Sequence, residues 1–198
     1  MFDLSNKSAI ITGARRGIGK GIALALAQAG ADVLVSDIDL EDCKETCAEI
    51  EEKTGQRAAP FKCDVTNKEE VHAMVDKAVQ EFGKVDILVN NAGIAQDMQP
   101  LWDVPPGRVQ AILETNIMGV VFGSQIAVRE MSKQGGGQLY NMEGAGSDGR
   151  VMAGLGVYQA SKAALRSINK SLIAETKDLP VVIGAISPGM VLTDMLLD

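Results

Sequence analysis

Apolar runs of strand length recur along the chain at SAIIT (8–12), ADVLVS (31–36), AAPFKC (58–63), VDILVN (85–90), GQLYN (137–141) and PVVIGAIS (180–187). They are near-continuous rather than alternating, as expected of strands buried on both faces of a parallel sheet. Between them lie segments of helical pattern: Ile18 to Ala29 is small and apolar, Leu40 to Lys53 acidic and amphipathic, and Lys68 to Phe82 amphipathic. Thr66 and Glu69 stand at capping-box spacing before the third of these. Arg108 to Lys133 and Tyr158 to Lys177 are longer and denser in apolar residues, as helices that bury more than one face would be. Strands alternating with crossover helices predict an α/β fold, a doubly wound parallel sheet of Rossmann type.

Nothing divides this pattern. There is no internal repeat and no low-complexity linker; Gly135 to Gly137 marks a turn before the fifth strand, and Pro105 with Pro106 a loop before the long helix. A single domain over 1–198, carrying both binding and chemistry, is the expectation. The two long apolar helices suit a subunit interface, so a homodimer or homotetramer is expected.

Composition narrows the partners. With 19 Lys and Arg against 26 Asp and Glu, the net charge is −7. No basic cluster is present to neutralise phosphates, so a nucleic-acid partner is not expected. No run reaches the roughly 18 consecutive apolar residues that span a bilayer. The opening MFDLSNKSAIITG lacks a basic region followed by an apolar segment. No membrane association and a cytoplasmic location are expected. Cys43, Cys47 and Cys63 lack zinc-type spacing and read as reduced thiols. His72 is the single histidine and reads as a helix-surface residue, which excludes chemistry built on several imidazoles; no metal site is expected.

The first strand runs into TGARRGIGKG, with Gly13, Gly17 and Gly19 opening directly into a helix. Glycines there allow a tight turn and let backbone N–H groups approach a pyrophosphate at a positive helix end. Asp37 closes the second strand eighteen residues beyond Gly19, near the spacing of an acid that accepts ribose hydroxyls, although a helix-start aspartate fits the position too. A carboxylate there repels a 2′-phosphate, so NAD is favoured over NADP. Arg15 and Arg16 pull the other way, since either can reach that phosphate.

With these features in view, the chain resembles the short-chain dehydrogenase/reductase family. The resemblance rests on TGARRGIG (12–19), CDV (63–65), NNAG (90–93), Asn116 in LETNIMG, YQASK (158–162) and SPGMVLT (187–193), in the family's order from the N-terminus almost to the last residue. It implies cofactor contacts at Gly13, Arg16, Gly17, Ile18 and Gly19 in the first turn. Asp64 and Val65 would frame the adenine, and Asn91, Ala92 and Gly93 would lie along the cofactor. Pro188, Gly189 and Thr193 would follow, with Thr193 on the nicotinamide carboxamide. Asn90 and Asn91 have an alternative role as ties between strands.

Tyr158 and Lys162 sit at i and i+4, on one helix face. A phenol titrates near 10, and lowering that by roughly 3 units needs about 4 kcal/mol of phenolate stabilisation. A cation about 4 Å away supplies a term of that order at an effective dielectric near 20. The expectation is therefore a phenol acidified by its neighbour. By resemblance, Tyr158 exchanges the proton of an alcohol or carbonyl, Lys162 also binds the nicotinamide ribose, and Asn116 holds a water of the proton relay. The alternatives are a core aromatic and a surface charge.

The family usually places a substrate-orienting serine about thirteen residues before the tyrosine, the offset of Ala145 here. Asn141 and Met142 match its pattern, but Glu143 and Gly144 replace two hydroxyls. Either the glycines of GAG re-route the loop so that Ser147 reaches the carbonyl, or the hydroxyl is missing and Ser147 merely caps a turn. NMEGAGSDG is similar to a segment of reductases that include the chlorophyll b reductases, which supports the first. Glu143 reads as solvated or bonded to its loop.

Family members usually continue beyond the position of Asp198, so the fold is expected without the usual C-terminal strand and helix, as in a shortened sequence. Met190, Val191, Leu192, Met195 and Leu196 read as an apolar flap or a core helix. The expected activity is hydride transfer between a nicotinamide and a small-molecule secondary alcohol or ketone. The alternatives are a weakly catalytic dinucleotide sensor or scaffold and, less suited to a Tyr–Lys pair, a methyltransferase.

Overall fold

A computed structural model describes residues 2–189 and 191. Six strands, β1 (Ser8–Thr12), β2 (Asp32–Asp37), β3 (Ala58–Lys62), β4 (Ile87–Asn90), β5 (Gly137–Met142) and β6 (Val181–Ile186), form one sheet in the order β3-β2-β1-β4-β5-β6. Every pairing is parallel. The helices are α1 (Gly17–Gln28), α2 (Leu40–Thr54), α3 (Lys68–Phe82), α4 (Pro106–Leu113), α5 (Gly119–Lys133) and α6 (Gly156–Glu175). This is the doubly wound sheet of the Rossmann type that the apolar runs predict.

Alternate residues of each central strand feed two cores. Ile10, Leu34, Leu88 and Leu139 meet Met74, Val75, Ile126 and Met131 of α3 and α5. On the other face Ile11, Val33, Val35 and Val89 meet Ala23 and Ala27 of α1 and Cys43, Cys47 and Ile50 of α2. Each fully buried Ile or Leu contributes about 2–3 kcal/mol of transfer free energy, so both faces anchor the sheet. Cys43, Cys47 and Cys63 are free and buried, their thiols pushed up to about 12 chiefly by burial. His72 is exposed and pairs with Asp76 at 3.0 Å.

Two local expectations need correction. The cap of α3 is Asn67, whose side chain accepts from the N–H groups of Glu69 and Glu70, while Thr66 donates to Asp64. An Asx residue one position later competes better for the orphan N–H groups. The long helix is also interrupted: Glu114–Met118 forms a π-turn between α4 and α5. By length and composition alone, Pro106–Lys133 would suit a membrane. Here Ile126, Ala127 and Met131 are buried in the core beneath it.

The sheet order reverses between β1 and β4. In open α/β sheets, that switch point at the carboxyl ends of the strands is where a ligand crevice forms.

Candidate active site

The loops after β1 and β4 are stitched together at the switch point. The Asn91 carboxamide donates to the carbonyls of Thr12 and Gly13 at 2.9 and 3.0 Å, and the Thr12 hydroxyl accepts from the N–H groups of Asn91 and Ala92. Asn91 is thus a strand tie, one of the two roles open at the level of sequence. Asn90 is the other tie, donating to Asn141 at 2.8 Å. Gly13 and Gly17 adopt φ values of +65° and +58°, where a side chain is strained. A Cβ on Gly19 would collide with the Gly13 carbonyl.

The N-terminus of α1 stands apart from those of its neighbours. Asp39 caps α2 and Asn67 caps α3, each followed by acids in the first turn. Arg16, extended at the start of α1, gives no side-chain cap, and no acid follows. Exposed Arg16 and Gly17 and half-buried Ile18 therefore frame a positive helix end. This fits a pyrophosphate.

Asp37 ends β2 with its side chain 11% exposed. It accepts from its neighbour Ile38 N at 2.8 Å and from Arg15 N at 3.3 Å, and Arg15 Nε lies 3.4 Å away. Asp64 is exposed and bonds Thr66, and Val65 is buried against Gly119. Pro188 and Gly189 follow β6 and are exposed. Thr193 lies outside the described residues, as do Met190, Leu192, Met195 and Leu196.

Tyr158 and Lys162 project together from the first turns of α6, with Lys162 Nζ 5.9 Å from the phenol ring centre. Lys162 is 5% exposed and donates to the Met142 carbonyl at 3.0 Å. A Cβ on Gly93 would lie 3.5 Å from Nζ, so Gly93 leaves the ammonium room. Burial pushes Lys162 down to about 8, opposed by the Glu143 carboxylate, and burial pushes the Tyr158 phenol up. The acidified phenol expected from charge proximity is therefore not what the polypeptide alone produces. Loss of water around the ring disfavours the charged phenolate.

Asn116 sits fully buried in the π-turn, where an extra residue per turn reorients its side chain. Its Oδ1 accepts from Ile94 N at 2.8 Å, and Nδ2 donates to Ile94 O and Ser161 Oγ. It thereby locks the β4 loop to α6.

Beside the phenol, the loop after β5 presents Gly144, where a Cβ would stand 3.1 Å from Tyr158 Oη. Ala145 is exposed. Ser147 is buried in a turn, its N–H on the Gly144 carbonyl and its own carbonyl accepting from Arg166. Glu143 accepts from Asn169, which accepts from Asn141, so a chain of buried amides starting at Asn90 ends on that carboxylate.

Gln96 was not among the sequence candidates. It is 4% exposed, its Oε1 accepts from Val157 N and Tyr158 N at 3.0 and 3.2 Å, and its Nε2 donates to Gly154 at 2.8 Å. A residue sixty-two positions from the tyrosine caps the helix that carries it. Only the close approach of the two loops reveals it.

The family described as short chain dehydrogenase matches residues 7–198. The chain belongs to the short-chain dehydrogenase family. It is 37% identical to the 7alpha-hydroxysteroid dehydrogenase of Escherichia coli (strain K12), over 98% of this chain and 74% of that protein. It is 33% identical to a probable chlorophyll(ide) b reductase of Oryza sativa subsp. japonica, over 96% of this chain and 41% of the other. The crystal structure of 3-ketoacyl-(acyl-carrier-protein) reductase from Brucella melitensis complexed with NADH superposes with a TM-score of 0.92 at 32% identity, covering 98% of this chain and 80% of that one. In this short-chain dehydrogenase, as in its relatives, the sheet and its switch point are those of a nicotinamide-dependent oxidoreductase.

Proposed function

We propose that the protein is an NAD-preferring oxidoreductase acting on a secondary alcohol or ketone. The observation that carries this reading is the pairing of a half-buried phenol with a buried amine on one face of α6, beside the loops of the switch point. When bound, the nicotinamide supplies the hydride acceptor or donor. Tyr158 holds the substrate oxygen and exchanges its proton, and Lys162 brings positive charge to the phenol and binds the ribose. Asn116 fixes the β4 loop for the relay. The first-turn glycines with Arg16 and Ile18 cradle the pyrophosphate, and Asp37 takes the ribose hydroxyls, which favours NAD. Asp64 and Val65 frame the adenine. Asn91, Ala92, Gly93, Pro188 and Gly189 line the rest of the cofactor path.

Ser147 is the proposed orienting hydroxyl. Met98, Leu101, Trp102 and Val151 are exposed around the start of α6 and support an apolar substrate, of the kind named for the hydroxysteroid and chlorophyll(ide) relatives. A groove of about 500 Å³ along α4, with Leu113 and Met118 exposed, supports a homodimer or homotetramer.

Titration with NADH and NADPH, followed by a panel of ketones with Tyr158→Phe as control, tests the reading. Tight NADH binding and turnover lost by 10²–10⁴-fold in the variant is expected. A second reading, a dinucleotide sensor with weak turnover, is favoured by Gly144 standing where a hydroxyl would face the phenol. Wild type and Tyr158→Phe equally inert while NADH binds would establish it instead.

A further inference from the structure

Arg15 is held from both its main chain and its side chain. Its N–H faces Asp37 Oδ2 at 3.3 Å, its Nε lies 3.4 Å from Asp37 Oδ1, and its Nη1 lies 3.0 Å from Asp42 Oδ2. Its carbonyl accepts from Thr46 Oγ1 at 2.8 Å. Asp42 and Thr46 are one turn apart on α2, so a single helix face grips the residue at both ends. The Arg15 side chain retains 25% exposure, that of Asp37 11% and that of Asp42 46%.

A planar guanidinium beside the ribose-binding acid is the group best shaped to pair with a 2′-phosphate. Here its donors are turned to two carboxylates. The cluster of one cation and two anions carries a net negative charge, and a 2′-phosphate brings roughly two more negative charges to the same place.

We propose that Asp42 is a cofactor-specificity residue: it holds the Arg15 guanidinium against Asp37 and so withholds it from a 2′-phosphate, which turns the site toward NAD. This rests on the dinucleotide reading above. Asp37 alone leaves the guanidinium free to swing outward; Asp42, anchored in the first turn of α2, closes the clamp. Asp42→Asn keeps the shape, removes the charge and frees Arg15.

The test is equilibrium binding of NADH and NADPH, by calorimetry or nucleotide fluorescence, to wild type, Asp42→Asn, Arg15→Gln and the double variant. Because Asp42 is half exposed and salt-screened, a gain of about tenfold in NADPH affinity is expected for Asp42→Asn, with NADH changed by less than about twofold. Arg15→Gln in that background should erase the gain. Arg16 is present in every variant and cancels from the ratio. An NADPH-to-NADH affinity ratio unmoved by Asp42→Asn, or a gain that survives without Arg15, overturns the inference while leaving the dinucleotide reading in place. Wild type binding neither nucleotide overturns both.

Discussion

Lys162 Nζ donates to the Met142 carbonyl at 3.0 Å, so the amine of α6 is anchored to the last residue of β5 and not to an acid. A neutral carbonyl orients an ammonium without supplying the charge that would offset its burial. That is why its pKa falls to about 8 from the usual 10.5.

Below about pH 8, both the folded and unfolded chains carry the Lys162 charge, and the fold bears the full cost of burying it. Between about 8 and 10.5 only the unfolded chain keeps the proton, so stability rises with pH over that window. The phenol of Tyr158, raised by burial, opposes this only above about pH 10, where its unfolded form ionises. Lys162→Met removes a cost of roughly 3 kcal/mol and forfeits a hydrogen bond of about 1. Denaturant unfolding at pH 7 should show the variant more stable by about 2 kcal/mol, and the gap should narrow by pH 9.5. A variant less stable at pH 7 would refute this account.

Glu143 is the acid that opposes the burial of Lys162, facing it from the loop after β5. From its own helix Lys162 meets Tyr158, and the uncharged Gly93 of the β4 loop and Gly144 of the loop after β5 lie beside its side chain. Glu143→Gln keeps an acceptor for Asn169 but deletes the charge. The Lys162 pKa should drop further below about 8, read directly by carbon-13 NMR of the lysine side chains, and the alkaline limb of any rate profile should move to lower pH. An unshifted Lys162 titration would remove Glu143 from the site.

Gln96 holds the start of α6 through two N–H groups, one of them that of Tyr158. Gln96→Met should lower kcat about tenfold through a misplaced phenol, with the KM for the dinucleotide little changed. Gln96→Glu, which keeps both accepted bonds, should recover most of the loss. Equal defects in the two variants would assign Gln96 to stability alone.

If Ser147 orients the substrate oxygen, Ser147→Ala should cost about 10²–10³ in kcat, as for other oxyanion donors. Gly144→Ala, which sets a methyl against Tyr158 Oη, should impair turnover in either case. Full activity in Ser147→Ala would show that the re-routed loop works without that hydroxyl.

Much of the local geometry at the candidate site was legible in the sequence because short motifs fix it. The i, i+4 spacing of Tyr158 and Lys162 places them on one helix face, and the glycines after β1 shape a turn before α1. The reading that Thr66 caps α3 failed because Asn67, one residue later, competes for the same N–H groups. The π-turn at Glu114–Met118 leaves no mark in an apolar pattern that is helical either way.

The sequence by itself determined the sheet, its strand sequence and the residue types at the switch point, since these follow from periodicity and from neighbours within a turn. Tertiary structure decided the rest. Whether the phenol is acidified depends on how much water the fold removes. Whether Arg15 can meet a phosphate depends on Asp42, twenty-seven residues away, and the pose of Tyr158 depends on Gln96, sixty-two residues away. Desolvation and long-range hydrogen bonds arise only when distant segments close on one another, and no local pattern encodes that distance.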